Sequence, residues 1–370
     1  MKSVWLGCCS LALGLWGCDI YLDRDYAKYL AGGLIGDPYD LQTVAFTPDG
    51  KQLLSASQYE DYSNPAAGRI HLWDVEARQL ERVLLADGCF FGAAISPDGR
   101  LASAVSWSGR SGCDPLVALG STSDWSLQAI EPVAWESPLG MAFSPDSQVM
   151  AVLDGSSAVV LLNTGTLQPL SQSPLNLDFL HLDLAFSADG KWLAIGGDGP
   201  TTTDSSTRHM VTLLQTSNWQ IGGNLDAREG RALTLSFSPD GKWLATAGQT
   251  SLLYLWSVDE LNVGPIGAVQ PREVGMPEDQ GIWAMVRDLA FSPDSKWLAA
   301  TGHQGSNTHQ DGRTCLYRVE DGALIRCVNE GTAGIAAVFS PDGATLASGG
   351  TDRNIKLWDA QKMIRDQGTP

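Results

Sequence analysis

One six-residue phrase recurs seven times along this chain, and that repetition limits its fold more than any other feature. The copies are Ala45-Phe46-Thr47-Pro48-Asp49-Gly50, Ala94-Ile95-Ser96-Pro97-Asp98-Gly99, Ala142-Phe143-Ser144-Pro145-Asp146-Ser147 and Ala185-Phe186-Ser187-Ala188-Asp189-Gly190. The remaining three are Ser236-Phe237-Ser238-Pro239-Asp240-Gly241, Ala290-Phe291-Ser292-Pro293-Asp294-Ser295 and Val338-Phe339-Ser340-Pro341-Asp342-Gly343. Their aspartates are spaced by 49, 48, 43, 51, 54 and 48 residues. A period in this range marks an array of like units, not two or three unrelated domains.

The physics of one unit is readable. Ser-Pro-Asp-Gly is a tight turn: proline presets φ at the first central position and glycine accepts positive φ after it. Apolar or alternating runs flank the turn, as in Lys242-Trp243-Leu244-Ala245-Thr246, so each copy centres a β-hairpin. A third strand follows, clearest in Ile70-His71-Leu72-Trp73-Asp74 and Ile355-Lys356-Leu357-Trp358-Asp359. A fourth follows a further turn, as in Leu80 to Leu85. Each unit is then a four-stranded antiparallel sheet of about 50 residues, the size of a propeller blade.

At residues 40–360 the chain resembles the WD-repeat β-propeller family. Phe-Ser-Pro-Asp-Gly followed by Ile-Lys-Leu-Trp-Asp, as in the last copy, carries the resemblance. It implies an all-β fold, a seven-bladed β-propeller of four-stranded antiparallel blades, spanning residues 41–360. Only two blades end in Trp-Asp, at 73–74 and 358–359; blade five has Trp256-Ser257 and blade six Tyr317-Arg318. The family's Gly-His pair before the first strand is missing. Of its internal His–Ser/Thr–Asp–Trp network, Ser348, Asp352 and Trp358 match in the last blade and the histidine does not. The residues after Asp359 make a poor outer strand. The segment from Asp19 to Asp37, with Tyr26, Leu30, Leu34 and Ile35, is expected to supply it and close the ring, hiding an unpaired edge.

Met1-Lys2-Ser3 followed by an apolar stretch to Gly17 fits a secretory signal. Leu15-Trp16-Gly17-Cys18 resembles the lipobox of bacterial lipoproteins, which implies removal of residues 1–17 and a lipid on Cys18. Residues 18–40 then form a tether and ring-closing segment, and 361–370 a C-terminal tail. The chain is expected to be exported and lipid-anchored to a bacterial cell membrane, on its periplasmic or cell-surface side. Export permits disulfides. Centring a hairpin on Asp321 places Cys315 opposite Cys327, within disulfide reach. Cys89 and Cys113 are expected to pair at the second blade.

Charge excludes one class of partner. With 24 Lys+Arg against 42 Asp+Glu the net charge is −18, which repels phosphate backbones. No nucleic acid is expected, and membrane contact is expected through the lipid alone.

Catalytic signatures are thin. Gly109-Arg110-Ser111-Gly112 lacks nucleophile-elbow spacing, and phosphate loops and Cys-x-x-Cys pairs are absent. His303, His309 and Asp311 share a loop without a metal-ligand spacing, so neither metal nor cofactor is expected. Trp192, Trp243 and Trp297 occupy one recurring position, suited to packing between blades.

Connection length is uneven. The second-to-third connection is short in blades three, five and seven, and long at Gln58 to Gly68, Ser106 to Pro115, Gly197 to His209 and Gly302 to Arg313. The longest inter-blade connection, about Val263 to Ile282, is expected on the same face. Candidate contact residues there are Tyr59, Asp61, Tyr62, Trp107, Arg110, Arg208, His209, His303, His309 and Asp311. The expected role is a monomeric, non-catalytic scaffold for a protein partner. The alternative is a small-ligand-binding or hydrolytic site at the central channel mouth, marked by convergent ionisable groups.

Overall fold

In a computed structural model, the described residues are 30–366 apart from 36–39, 59–67, 107–114, 131–137, 156–157, 172, 174, 178–180, 199–208, 227–231, 250–251, 276–282 and 305–311. They form an all-β propeller of four-stranded antiparallel blades, with 28 strands in seven sheets. Six sheets are contiguous in sequence, over residues 40–88, 90–129, 138–176, 181–226, 232–275 and 283–329. The last is composite. Gly334–Phe339, Thr345–Gly350 and Asn354–Asp359 are joined at the outer edge by Leu30–Ile35, with Leu34 opposite Ile355.

The repeated turn is wired identically in all seven copies. In the second sheet the Ser96 hydroxyl donates to Asp98 Oδ1 at 2.6 Å and accepts from the Leu101 N–H at 3.0 Å. The same hydroxyl–aspartate bond holds Thr47, Ser144, Ser187, Ser238, Ser292 and Ser340. Successive turns also touch. Gly99 has φ +71, and a Cβ there would lie 2.9 Å from Pro48 of the preceding sheet. Ser147 and Ser295 take the glycine position at φ 59 and 60, a conformation costly for a residue with a Cβ. Each hydroxyl offsets that cost by accepting an N–H from the preceding turn: Asp98 at 3.2 Å and Asp240 at 2.9 Å.

Apolar burial is concentrated between sheets. Leu54, Ile70 and Leu72 meet Phe90 and Ala93 between the first and second. Trp192, Leu213, Trp256 and Val258 share the cluster between the fourth and fifth. Leu34, Ile355 and Leu357 of the composite sheet pack with Leu41, Leu53 and Trp73 of the first. The third-strand tryptophans anchor their blades through one polar atom each: Trp73 to Ser55 (2.9 Å), Trp256 to Thr246 (3.0 Å) and Trp358 to Ser348 (2.7 Å). A buried indole N–H needs such a partner.

One expectation is corrected. The stretch from Val263 to Ile282 is not a single inter-blade connection, because Arg272–Gly275 is the fourth strand of the fifth sheet. The helix Val258–Val263 and the turn Ile266–Ala268 precede that strand, so their length lies between third and fourth strands, away from the long second-to-third connections. Ile266 is buried against Gly222 and Gly223 of the fourth sheet, and Trp192 donates to Asn262 at 2.8 Å. High glycine and proline content reads as loop, but these bare glycines are the seat that receives the isoleucine.

Cys315 and Cys327 face each other across their strands and are disulfide-bonded. Cys89 is disulfide-bonded as well, while Cys113 lies outside the described residues. The last described element is the helix Ala360–Arg365, capped by Asp359 and packed through Met363 onto the sixth-sheet side. Among the described residues no helix is long and apolar enough to cross a membrane.

Candidate functional site

Every sheet breaks its register at the same point of its first strand. The breaks fall between Leu41/Thr43, Phe90/Gly92, Pro138/Gly140, His181/Asp183, Ala232/Thr234, Val286/Asp288 and Gly334/Ala336. A bulge turns an extra residue out of the ladder and re-aims its side chain. Here the re-aimed residues converge. Gln42, Phe91, Leu139, Leu233, Arg287 and Ile335 line one cavity of about 250 Å³, with Thr43, Asp183, Thr234 and Asp288 beside them. The lining therefore draws on the first strand of each sheet, near its start, on the side where second-to-third connections emerge.

Two carboxyls in this wall also tie neighbouring sheets together. Asp183 accepts from its own neighbour Leu184 at 2.8 Å and from Leu235 of the fifth sheet at 2.9 Å. Asp288 accepts from Leu289 at 2.8 Å and from Ala337 of the last sheet at 2.9 Å. Burial pushes the Asp183 carboxyl up to about 6, against the lowering effect of these N–H donors. Burial, with the charge of Asp183, pushes Asp288 up to about 7. Burial and the Arg287 charge hold His303 below the ordinary imidazole range.

The turn carboxylates move the other way. The Ser96 hydroxyl holds Asp98 down at about 2, and Ser144 and Ser340 lower Asp146 and Asp342. A depressed carboxylate contributes stability present above its unfolded value near 3.8 and lost as pH falls through its folded value. A raised one contributes stability present below its unfolded value and lost as pH rises through its folded value. Thermal unfolding followed by circular dichroism should therefore show Tm rising from about pH 2, maximal near pH 4 and falling from there to about pH 7. In an Asp183→Asn/Asp288→Asn variant the fall between about pH 4 and pH 7 should flatten. An unchanged slope across that range would remove these two groups from the account.

Tyr59, Asp61, Tyr62, Trp107, Arg110, Arg208, His309, Asp311 and the candidate lipid site Cys18 lie outside the described residues. His209 begins the strand His209–Gln215. His303 is 3% exposed near the end of Trp297–Gln304, buried rather than on an open face and within range of the Arg287 charge. Among the described residues no group of three or more His, Cys, Asp or Glu is placed to hold a metal ion. The channel residues were missed by motif searching. Their signal is positional: two residues before the Ala of the repeated phrase, the seven copies read Thr43, Gly92, Gly140, Asp183, Thr234, Asp288 and Ala336.

Comparison with known proteins follows the same periodicity. Residues 222–257, 280–318 and 322–359 match the WD40 model, WD domain, G-beta repeat. The chain is 31% identical over 160 residues to an uncharacterized WD repeat-containing protein of Synechocystis, covering 42% of this chain and 40% of that one. It is 24% identical over 364 residues to the 66 kDa stress protein of Physarum polycephalum, covering 97% of this chain and 52% of the relative. Over 143 residues it is 24% identical to the small ribosomal subunit protein RACK1 of Candida albicans, covering 38% and 41%. The chain spans about half or less of the length of these curated relatives.

The last matching segment contains a polar core with an unforeseen composition. Trp358 donates to the Ser348 hydroxyl, which donates to Glu330 Oε1 at 2.6 Å. Lys356 Nζ lies 3.2 Å from Glu330 Oε2, donates to the Glu330 carbonyl at 2.9 Å, and pairs with Asp352. Thr314 of the neighbouring sheet donates to Glu330 as well. Asp352 thus reaches Ser348 only through Lys356 and Glu330, a buried ion pair standing where the histidine is missing.

Proposed function

We propose that the chain is a non-catalytic, membrane-tethered scaffold, a closed ring of seven blades presenting its long-loop face to a protein partner. The observation that carries this is where chain length lies. First and second strands are joined by the short repeated turn, as from Phe46 to Gln52, in every sheet. Second and third strands are separated by Gln58 to Gly68, Ser106 to Leu116, Asp198 to His209 and Gln304 to Gly312 in four sheets. Connections that add nothing to a core are the common site of binding residues. Closure is supported by the strand Leu30–Ile35 beside Asn354–Asp359, and by Arg353 paired with Asp40 at 3.4 Å. Relatives named as a small ribosomal subunit protein and as histone acetyltransferase type B subunit 2 (38% identical over 96 residues) are, by those names, parts of larger assemblies.

In this reading residues 1–17 are removed, Cys18 carries the lipid, and 18–40 both tether and close the ring. Crosslinking and affinity recovery from membranes should compare wild type with a variant whose four long connections are cut to tight turns. Partner recovery should fall several-fold in the variant; equal recovery would contradict the face assignment. A Cys18→Ser chain should leave the membrane fraction while keeping its partner in detergent extracts. Continued membrane fractionation would refute the anchor alone.

A further inference from the structure

We propose that the central cavity binds a small zwitterion, its ammonium group between Asp183 and Asp288 and its carboxylate on Arg287. This goes beyond the scaffold reading and does not depend on it. The charged groups are gathered in one sector of a wall of mixed polarity. Asp183 comes from the fourth sheet, Thr234 from the fifth, and Arg287 and Asp288 from the sixth. Elsewhere the lining offers Gln42, Thr43, Phe91, Leu139 and Leu233. Charged groups converging on one concavity are what fixes the orientation of a small ligand.

Size sets an upper bound. A cavity of about 250 Å³ equals roughly eight waters at about 30 Å³ each, room for a molecule the size of an amino acid. Charge sets the class. Burial, and after it the Asp183 charge, disfavours the ionised form of Asp288, and a bound cation would offset both. Backbone N–H groups already fix both carboxyls, so little ordering would be lost on binding. Arg287, next to Asp288 in the bulge, is exposed and lines the cavity, which places a positive charge where a ligand carboxylate would lie. Other titratable groups near the site are few. Asp40 is engaged with Arg353, His303 lies within range of the Arg287 charge, and His181 begins the fourth sheet's first strand. The first strands 90–95, 138–143, 232–237 and 334–339 carry none.

Binding an ammonium group should draw both aspartates into their ionised form and release protons. Affinity should therefore rise with pH. Three molecules of one size separate the contributions: β-alanine, propylamine and propionate, titrated into the wild-type chain by calorimetry and ligand-observed NMR. β-Alanine should bind saturably, propylamine about tenfold more weakly, and propionate without saturation. β-Alanine affinity should rise at least about tenfold from pH 5 to pH 8, and fall as much in Arg287→Gln, a substitution at an exposed side chain, and in Asp288→Asn. The wild-type pH series decides the matter should Asp288→Asn fail to fold. Absence of saturable β-alanine binding, equal binding of propionate or propylamine, or a flat pH profile would each overturn the proposal.

Discussion

Replacing Lys356 with methionine is expected to destabilise the folded chain by about 3–5 kcal/mol. The loss is large because the lysine is not a surface charge: its side chain is 9% exposed and that of Glu330 1%. Lys356 directs its ammonium group to the Glu330 carboxylate, the Glu330 carbonyl and Asp352. With the lysine gone, a buried carboxylate keeps its desolvation cost and loses its counter-charge. At about 2.1 cal/mol/K per residue, a chain of 370 residues has an unfolding entropy of about 0.8 kcal/mol/K, so Tm should fall by about 4–6 °C. Glu330→Gln should be milder, since the amide oxygen still accepts from Ser348. Combining Lys356→Met with Glu330→Leu should recover part of the loss, because an apolar pair can replace a buried ion pair at little cost. A Lys356→Met loss below about 1 kcal/mol would show that the pair is solvated and peripheral.

The second large effect is expected at the edge where the chain's two ends meet. Leu34 is fully buried against Ile355 and Leu357 and the first sheet's Leu41 and Trp73. Leu34→Ala should cost about 2–5 kcal/mol, the range for truncating a core leucine. Removing residues 1–35 should do more. It uncovers the edge of Asn354–Asp359, and an unpaired edge strand carrying Ile355, Leu357 and Trp358 is a template for association. The truncated chain should aggregate or dimerise in size-exclusion chromatography with light scattering. A monomeric, equally stable truncation would mean that Leu30–Ile35 is an accessory strand.

The repeated phrase makes the sheets legible because a turn fixes register locally: hydroxyl, aspartate and positive-φ residue lie within six positions. The third-strand tryptophans are legible for a similar reason, since Trp358 finds Ser348 ten residues away. The channel is harder to read. Asp183 and Asp288 belong to different sheets far apart in sequence, and only the packing of successive sheets brings their bulges to one cavity. The Lys356–Glu330 pair is hidden likewise, because Glu330 comes from the connection leaving the sixth sheet and substitutes a different chemistry for an absent histidine. The seat for Ile266 depends on glycines in another blade, which no local pattern reports.

The account rests on the chain's beginning lying against its end in one register. Ile35 is opposite Asn354, so an Ile35→Cys/Asn354→Cys variant brings two thiols within disulfide reach across an antiparallel pair. Oxidised under native conditions and digested without reduction, it should yield one peptide joining positions 35 and 354 within a single chain, identified by mass spectrometry. Free thiols at both positions, or cross-links between chains, would contradict the closed ring.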